Sequence, residues 1–92
     1  MNPTLSHQAK PSDDVLFQAV GDEAVLLNLA SERYFGLDPV GTRIWTLLSE
    51  DPRLQQAFDT LCAEYDVEPA QLEADLLELI GQLAEARLVQ VA

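Results

Sequence analysis

Arg33-Tyr34-Phe35-Gly36-Leu37-Asp38-Pro39-Val40-Gly41-Thr42-Arg43-Ile44-Trp45-Thr46-Leu47-Leu48 is the stretch on which the fold turns. Up to Leu37 the residues suit a short strand; beyond Pro39 apolar residues return every three or four positions, so the period changes from two to about 3.6. Asp38-Pro39 marks the junction, because Asp is a strong N-cap and Pro suits the first helical position, where its missing N–H has no partner to lose. Upstream, Val15–Val20 and Glu23–Leu29 are strand-like runs separated by Gly21-Asp22, the pattern of a hairpin closed by a type II′ turn. Ala30-Ser31-Glu32 makes a polar break before the third strand, Arg33–Leu37. The simplest arrangement is an antiparallel meander with its third strand at an edge.

Downstream, Asp51-Pro52 and Glu68-Pro69 repeat the acid–proline signal and divide the remainder into helices. The first, Pro39 to Ser49, puts Val40, Ile44, Leu47 and Leu48 on one face. The second, Pro52 to Tyr65, carries Leu54, Phe58, Leu61, Cys62 and Tyr65 as one stripe. The third, Pro69 to about Arg87, has Leu72, Leu76, Leu79, Ile80 and Leu83 as its core stripe. Leu88–Val91 reads as an apolar tail that packs back on the sheet. Residues 1–13, with two prolines and two serines, read as a flexible N-terminal tail, which leaves 14–92 as one domain. The expected class is α+β: a three-stranded antiparallel sheet followed by three helices.

Composition narrows the function. The chain has 92 residues, 48% of them apolar, with 16 acidic against 5 basic residues and a net charge of −11. Nucleic-acid affinity needs clustered Lys and Arg, and Lys10, Arg33, Arg43, Arg53 and Arg87 are scattered. One Cys (Cys62) and one His (His7) exclude an internal disulfide and a Cys/His zinc site. No constellation of nucleophile, base and orienting group is present, so the expectation is a protein with no catalysis, no metal and no cofactor. No run approaches a membrane span and no apolar signal core opens the chain, so a cytoplasmic protein is expected, without membrane or nucleic-acid partners.

Two features point to binding. Stepping about 100° per residue along the third helix leaves a shoulder of small or apolar residues beside the core stripe: Leu77 and Ala84, then Ala70, Ala74 and Gly81. Small side chains there let another backbone approach, while Leu77 supplies grip. The second feature is the third strand, whose edge presents unpaired N–H and C=O groups and carries no Pro or Lys to protect it. Alternation places Arg33, Phe35 and Leu37 on one face and Tyr34 and Gly36 on the other. Strand edge and helix shoulder together describe a groove for an extended peptide. Proline at Phe35 is expected to abolish binding by removing a ladder donor.

The order Leu26-Leu27-Asn28-Leu29, Tyr34-Phe35-Gly36-Leu37, Asp38-Pro39-Val40-Gly41 and Ile44-Trp45-Thr46-Leu47-Leu48, with Tyr65-Asp66-Val67 and a Leu-Val ending, resembles the PqqD-like family, the precursor-recognition elements of ribosomally made peptides. The resemblance covers residues 15–91. It implies a winged helix-turn-helix-like fold with no catalysis of its own, whose members bind the leader segment of a precursor peptide by adding it beside the third strand and against the third helix. By position the strand wall is Arg33, Tyr34, Phe35, Gly36 and Leu37, and the helix wall includes Leu72, Asp75, Leu76 and Leu79. The angular reading turns Ala74, Leu77 and Gly81 to the groove instead, and both faces stay open. The Pro-Glu that follows the second-strand leucines in the PQQ-pathway protein is missing after Val25-Leu26-Leu27-Asn28-Leu29, so the chain looks more like the lasso-peptide group. There the implied partner is a separate leader peptidase of transglutaminase-like type, and the protein a monomer or weak homodimer.

Three other readings compete. The first is a PqqD-type chaperone presenting its peptide to a radical SAM enzyme, and the second a winged-helix interaction scaffold. A carrier protein is the third, but it needs a Ser at the head of a helix, and Leu48-Ser49-Glu50 falls at a helix end. A winged helix that binds DNA is disfavoured by the acids of the third helix. Trp45 reads as a core anchor, and Glu73, Asp75, Glu78 and Glu85 as a solvated face.

Overall fold

A computed structural model describes residues 3–92 of the chain. The elements run β1 (Ala9–Pro11), β2 (Val15–Val20), β3 (Glu23–Asn28), β4 (Arg33–Leu37), α1 (Pro39–Glu50), α2 (Leu54–Glu64), α3 (Pro69–Glu85) and β5 (Val89–Val91). β2, β3 and β4 form the expected antiparallel sheet in that order, with Val20 opposite Glu23 and Leu26 opposite Phe35. Gly21 has φ +66° at the first central position of the β2–β3 turn. That conformation is open to Gly and closes a two-residue hairpin in type II′ form.

Only one of the three acid–proline pairs caps a helix with its side chain. Asp38 accepts from the Gly41 N–H at 2.7 Å and Pro39 opens α1. Gly41 itself is buried, and a Cβ there would meet Leu37 Cδ2 at 3.2 Å, so the helix start packs closely against the end of β4. Glu68 precedes Pro69 without a side-chain cap bond. Asp51 instead ends α1 and turns to Arg53, from whose backbone and guanidinium it accepts hydrogen bonds, so α2 begins two residues later than Pro52. The competing ion pair explains the shift.

The core lies between the sheet and the helices. Leu26 of β3, Leu48 of α1, Leu54 and Leu61 of α2, and Leu76, Ile80 and Leu83 of α3 are fully buried. Each removes enough apolar surface from water to contribute about 1.5–3 kcal/mol. Trp45 joins them as the expected anchor.

The chain ends depart from expectation. Ala9–Pro11, read as part of a tail, forms a strand with Val89–Val91, Ala9 standing opposite Val91. Gln8 and Ala92 exchange backbone hydrogen bonds, the Ala9 N–H donates to Pro52, and the Leu54 N–H donates to His7. Both termini are thereby strapped to the α1–α2 connection, with Ala9 fully buried. Leu88–Val91 accordingly pairs with β1 and not with the three-stranded sheet. A three-residue strand shows no readable period, and its partner lies at the opposite end of the sequence. Of the supposed tail, Met1 and Asn2 fall outside the described residues.

Arg43 of α1 and Glu64 of α2 join across the helix pair, Nε to Oε1 at 2.8 Å. The guanidinium's hydrogen bond holds the Glu64 carboxyl below the usual glutamate range, and Arg53 lowers Asp51 in the same way. A depressed carboxylate stabilises the fold at neutral pH, and that contribution fades as pH falls through its folded pKa. Both pairs are exposed, so the effect is small. Urea unfolding of Glu64→Gln is expected to differ slightly from wild type at pH 7 and to converge with it in acid.

Candidate functional site

Ladder alternation decides which backbone groups of β4 are free. The Leu29 N–H donates to Asp14, so odd residues of β3 turn their peptide groups toward β2. Ala24, Leu26 and Asn28 therefore serve β4, exchanging bonds with Leu37, Phe35 and Arg33. In an antiparallel ladder the intervening residues point the other way. Tyr34 and Gly36 thus present their N–H and C=O groups at the open edge, spaced to receive an added strand. The expected donor at Phe35 is corrected here: its N–H faces β3 and belongs to the fold.

Side chains follow the expected alternation. Phe35 is half-buried and Leu37 buried on the core side, while Arg33 is exposed at the strand's start. Tyr34 is 74% exposed on the outer face, beside Leu27. Nothing lies within 4 Å of a Cβ added at Gly36.

On α3 the candidate wall residues separate. Leu72 and Leu76 are 5% and 0% exposed and belong to the core, so they offer no surface to a guest in this structure. Ala74 and Asp75 are exposed, and Leu77, Leu79 and Gly81 are half-buried. Leu77 and Leu79 flank the core stripe on opposite shoulders. Ala84, on the same shoulder as Leu77, lines an open cavity of about 470 Å³ with Asn28, Ala30, Ser31 and Arg87. That shoulder borders the β3–β4 turn.

Asn28 fixes the two walls relative to each other. It is 4% exposed, and its Nδ2 donates to the Ala86 and Arg87 carbonyls at the end of α3, each at 3.3 Å. Its Oδ1 accepts from the Ala30 and Ser31 N–H groups of the β3–β4 turn, at 3.0 and 3.2 Å. One buried amide therefore joins β3, the turn into β4, and the helix terminus. Asn28→Ala leaves those backbone groups unpaired and is expected to cost about 1–3 kcal/mol, measured by urea unfolding. The sequence reading passed over Asn28, although it shares the inward phase of Ala24 and Leu26 and so had to be a buried amide.

Among the described residues no group of three His, Cys, Asp or Glu side chains is placed to hold a metal ion. No helix there is long and apolar enough to cross a membrane.

A family model, coenzyme PQQ synthesis protein D (PqqD), matches residues 23–89, from the start of β3 to the start of β5. The chain belongs to the PqqD family. The bifunctional coenzyme PQQ synthesis protein C/D of Methylorubrum extorquens is 34% identical over 74 residues, 80% of this chain and 19% of that protein. A PqqA binding protein of Xanthomonas euvesicatoria pv. vesicatoria is 36% identical over 70 residues, 76% of this chain and 74% of that one. TbiB1, solved in complex with the TbiA(beta) leader peptide, superposes with a TM-score of 0.83 at 44% identity, covering 88% of this chain and 94% of that chain. A lasso peptide synthetase B1 complexed with its leader peptide has the same fold, with a TM-score of 0.79 at 22% identity over 90% of this chain and 98% of that chain. The three-stranded sheet and three helices are therefore the PqqD-family arrangement.

Proposed function

We propose that this protein binds the leader segment of a ribosomally synthesised precursor peptide, of lasso type, as a guest strand on the β4 edge beside α3. It performs no chemistry and presents the peptide to a separate leader peptidase of transglutaminase-like type and to the enzymes that follow. The recognition unit takes in β1 as well as the expected residues 14–92, winged-helix-like in plan, with the β3–β4 hairpin as the wing. The observation that carries this reading is the pair of unpartnered peptide groups at Tyr34 and Gly36 on the open edge of β4, in a hairpin that Asn28 ties to the end of α3. The 44% identity to TbiB1, solved with a leader peptide, supports the ligand class; the lasso assignment rests on the Tyr34–Gly41 motif and the missing Pro-Glu after Leu29.

Hydrogen exchange tests it directly. On titration with the leader peptide, the Tyr34 and Gly36 amides are expected to slow, while Phe35, already bonded to β3, changes little. Protection confined to Val15, Phe17 and Ala19 would move the guest to the opposite edge of the sheet. A second reading is favoured by the 36% identity to PqqA binding proteins: a chaperone that holds a PqqA-like peptide for a radical SAM enzyme. Calorimetry with a lasso leader and a PqqA peptide in parallel separates the two, the lasso leader being expected to bind at least about tenfold more tightly, or about 1.4 kcal/mol.

A further inference from the structure

The sheet has two open edges, and the peptide uses one. β2 is paired with β3 alone, and Val15, Phe17 and Ala19 turn their peptide groups away from it. The strand is longer than β4 and carries no charge, no Pro and no Lys, the devices that normally protect an edge. Its side chains are open on both faces: Leu16 and Val20 are 52% and 62% exposed on the outer face, and Phe17 is 39% exposed on the other. Among the described residues none pairs with this edge, and β1 is committed to β5.

Charge selects the occupant. Asp13 and Asp14 precede the uncharged run and Asp22 and Glu23 follow it. A second copy paired antiparallel would bring Asp13 and Asp14 of each chain to the end of the strand where Asp22 of the other stands, with a net charge of −11 on both. Like charges brought together at the ends of paired strands repel. A leader strand seated on β4 lies three strand spacings from β2 and leaves it untouched. We infer that the β2 edge, with Leu16, Phe17 and Val20, docks a partner protein by strand addition, and that this partner offers an apolar strand bracketed by Lys or Arg. The inference rests on the leader-binding reading in naming that partner as the enzyme that receives the peptide. The module then bridges two chains through the two margins of one sheet, the peptide on β4 and its processing enzyme on β2.

The test uses the full chain, its leader peptide and the purified leader peptidase. Ala19→Pro removes an outward N–H and leaves the ladder to β3 intact; the double variant Leu16→Lys/Val20→Lys charges only the exposed face. Both are expected to keep leader affinity within about twofold and to weaken peptidase association roughly tenfold or more. Wild-type association is expected to fall with rising salt. Undiminished peptidase association by both variants overturns the inference. So does a wild-type dimer in sedimentation that Ala19→Pro dissociates, since a second copy then occupies the edge. Failure of the wild-type protein to bind leader refutes the proposed function instead, and is read in a separate titration without the peptidase.

Discussion

Gly36→Pro is expected to leave the protein folded and to remove leader binding. The Gly36 N–H is turned to the open edge of β4, so proline there takes no hydrogen bond from the sheet. Proline is tolerated on edge strands in that orientation. For a guest strand the substitution removes a donor and puts the ring where the guest backbone must lie. The lost bond alone is worth about 0.5–1.5 kcal/mol. With the steric block added, the affinity for the leader should fall well beyond tenfold. Gly36→Ala is the control: its Cβ enters open space, and binding should stay within about twofold if strand addition is the mode. Tyr34→Pro repeats the experiment at the other outward position. Phe35→Pro, by contrast, removes a bond to Leu26 inside the ladder and should unfold the sheet, so loss of binding there says nothing about the guest. Circular dichroism separates these cases and calorimetry reads the affinity. Full leader affinity in folded Gly36→Pro and Tyr34→Pro proteins would refute strand addition at β4.

The contrast between Phe35 and its neighbours shows where the sequence stops being readable. Alternation along Arg33–Leu37 yields which side chains face the core, and it did so correctly. Which peptide groups face the edge depends on the register with Ala24–Asn28 and on where β2 attaches, and those are tertiary facts. The three strands and three helices were legible because each carries a full period of apolar residues between Gly, Pro or polar breaks. β1 and β5 were not, since three residues hold no period and their pairing joins the two ends of the chain. The acid–proline rule worked at Asp38, where Gly41 N–H is within reach, and failed at Asp51, where Arg53 competes for the carboxylate. Asn28 was missed for a different reason: read as a single polar residue in a Leu-rich run, it looks like a strand's end. Its inward phase makes it the joint between α3 and the β3–β4 turn.

Neighbouring leucines on α3 should respond in opposite ways. Leu76 is completely buried among core residues, and Leu76→Ala should cost about 2–5 kcal/mol through lost burial and the cavity left behind. For a chain of this size that is a large share of the roughly 5–15 kcal/mol available, so thermal unfolding should move down steeply. The fraction that remains folded should bind leader normally. Leu77 is only half-buried, on the helix shoulder shared with Ala84, which lines the cavity at the β3–β4 turn. Leu77→Asp should be tolerated far better by the fold and should weaken leader binding about tenfold or more, because a carboxylate replaces apolar surface that the guest must cover. Leu79→Asp adds the same charge on the opposite shoulder and is the matched control, expected to bind almost as wild type. If Leu79→Asp is the variant that loses affinity, the groove opens on the Asp75/Leu79 side, and Ala84 with its cavity has no part in it. The comparison turns on geometry alone, since both variants bring the net charge to −12 from −11 and differ only in which side of one helix they alter.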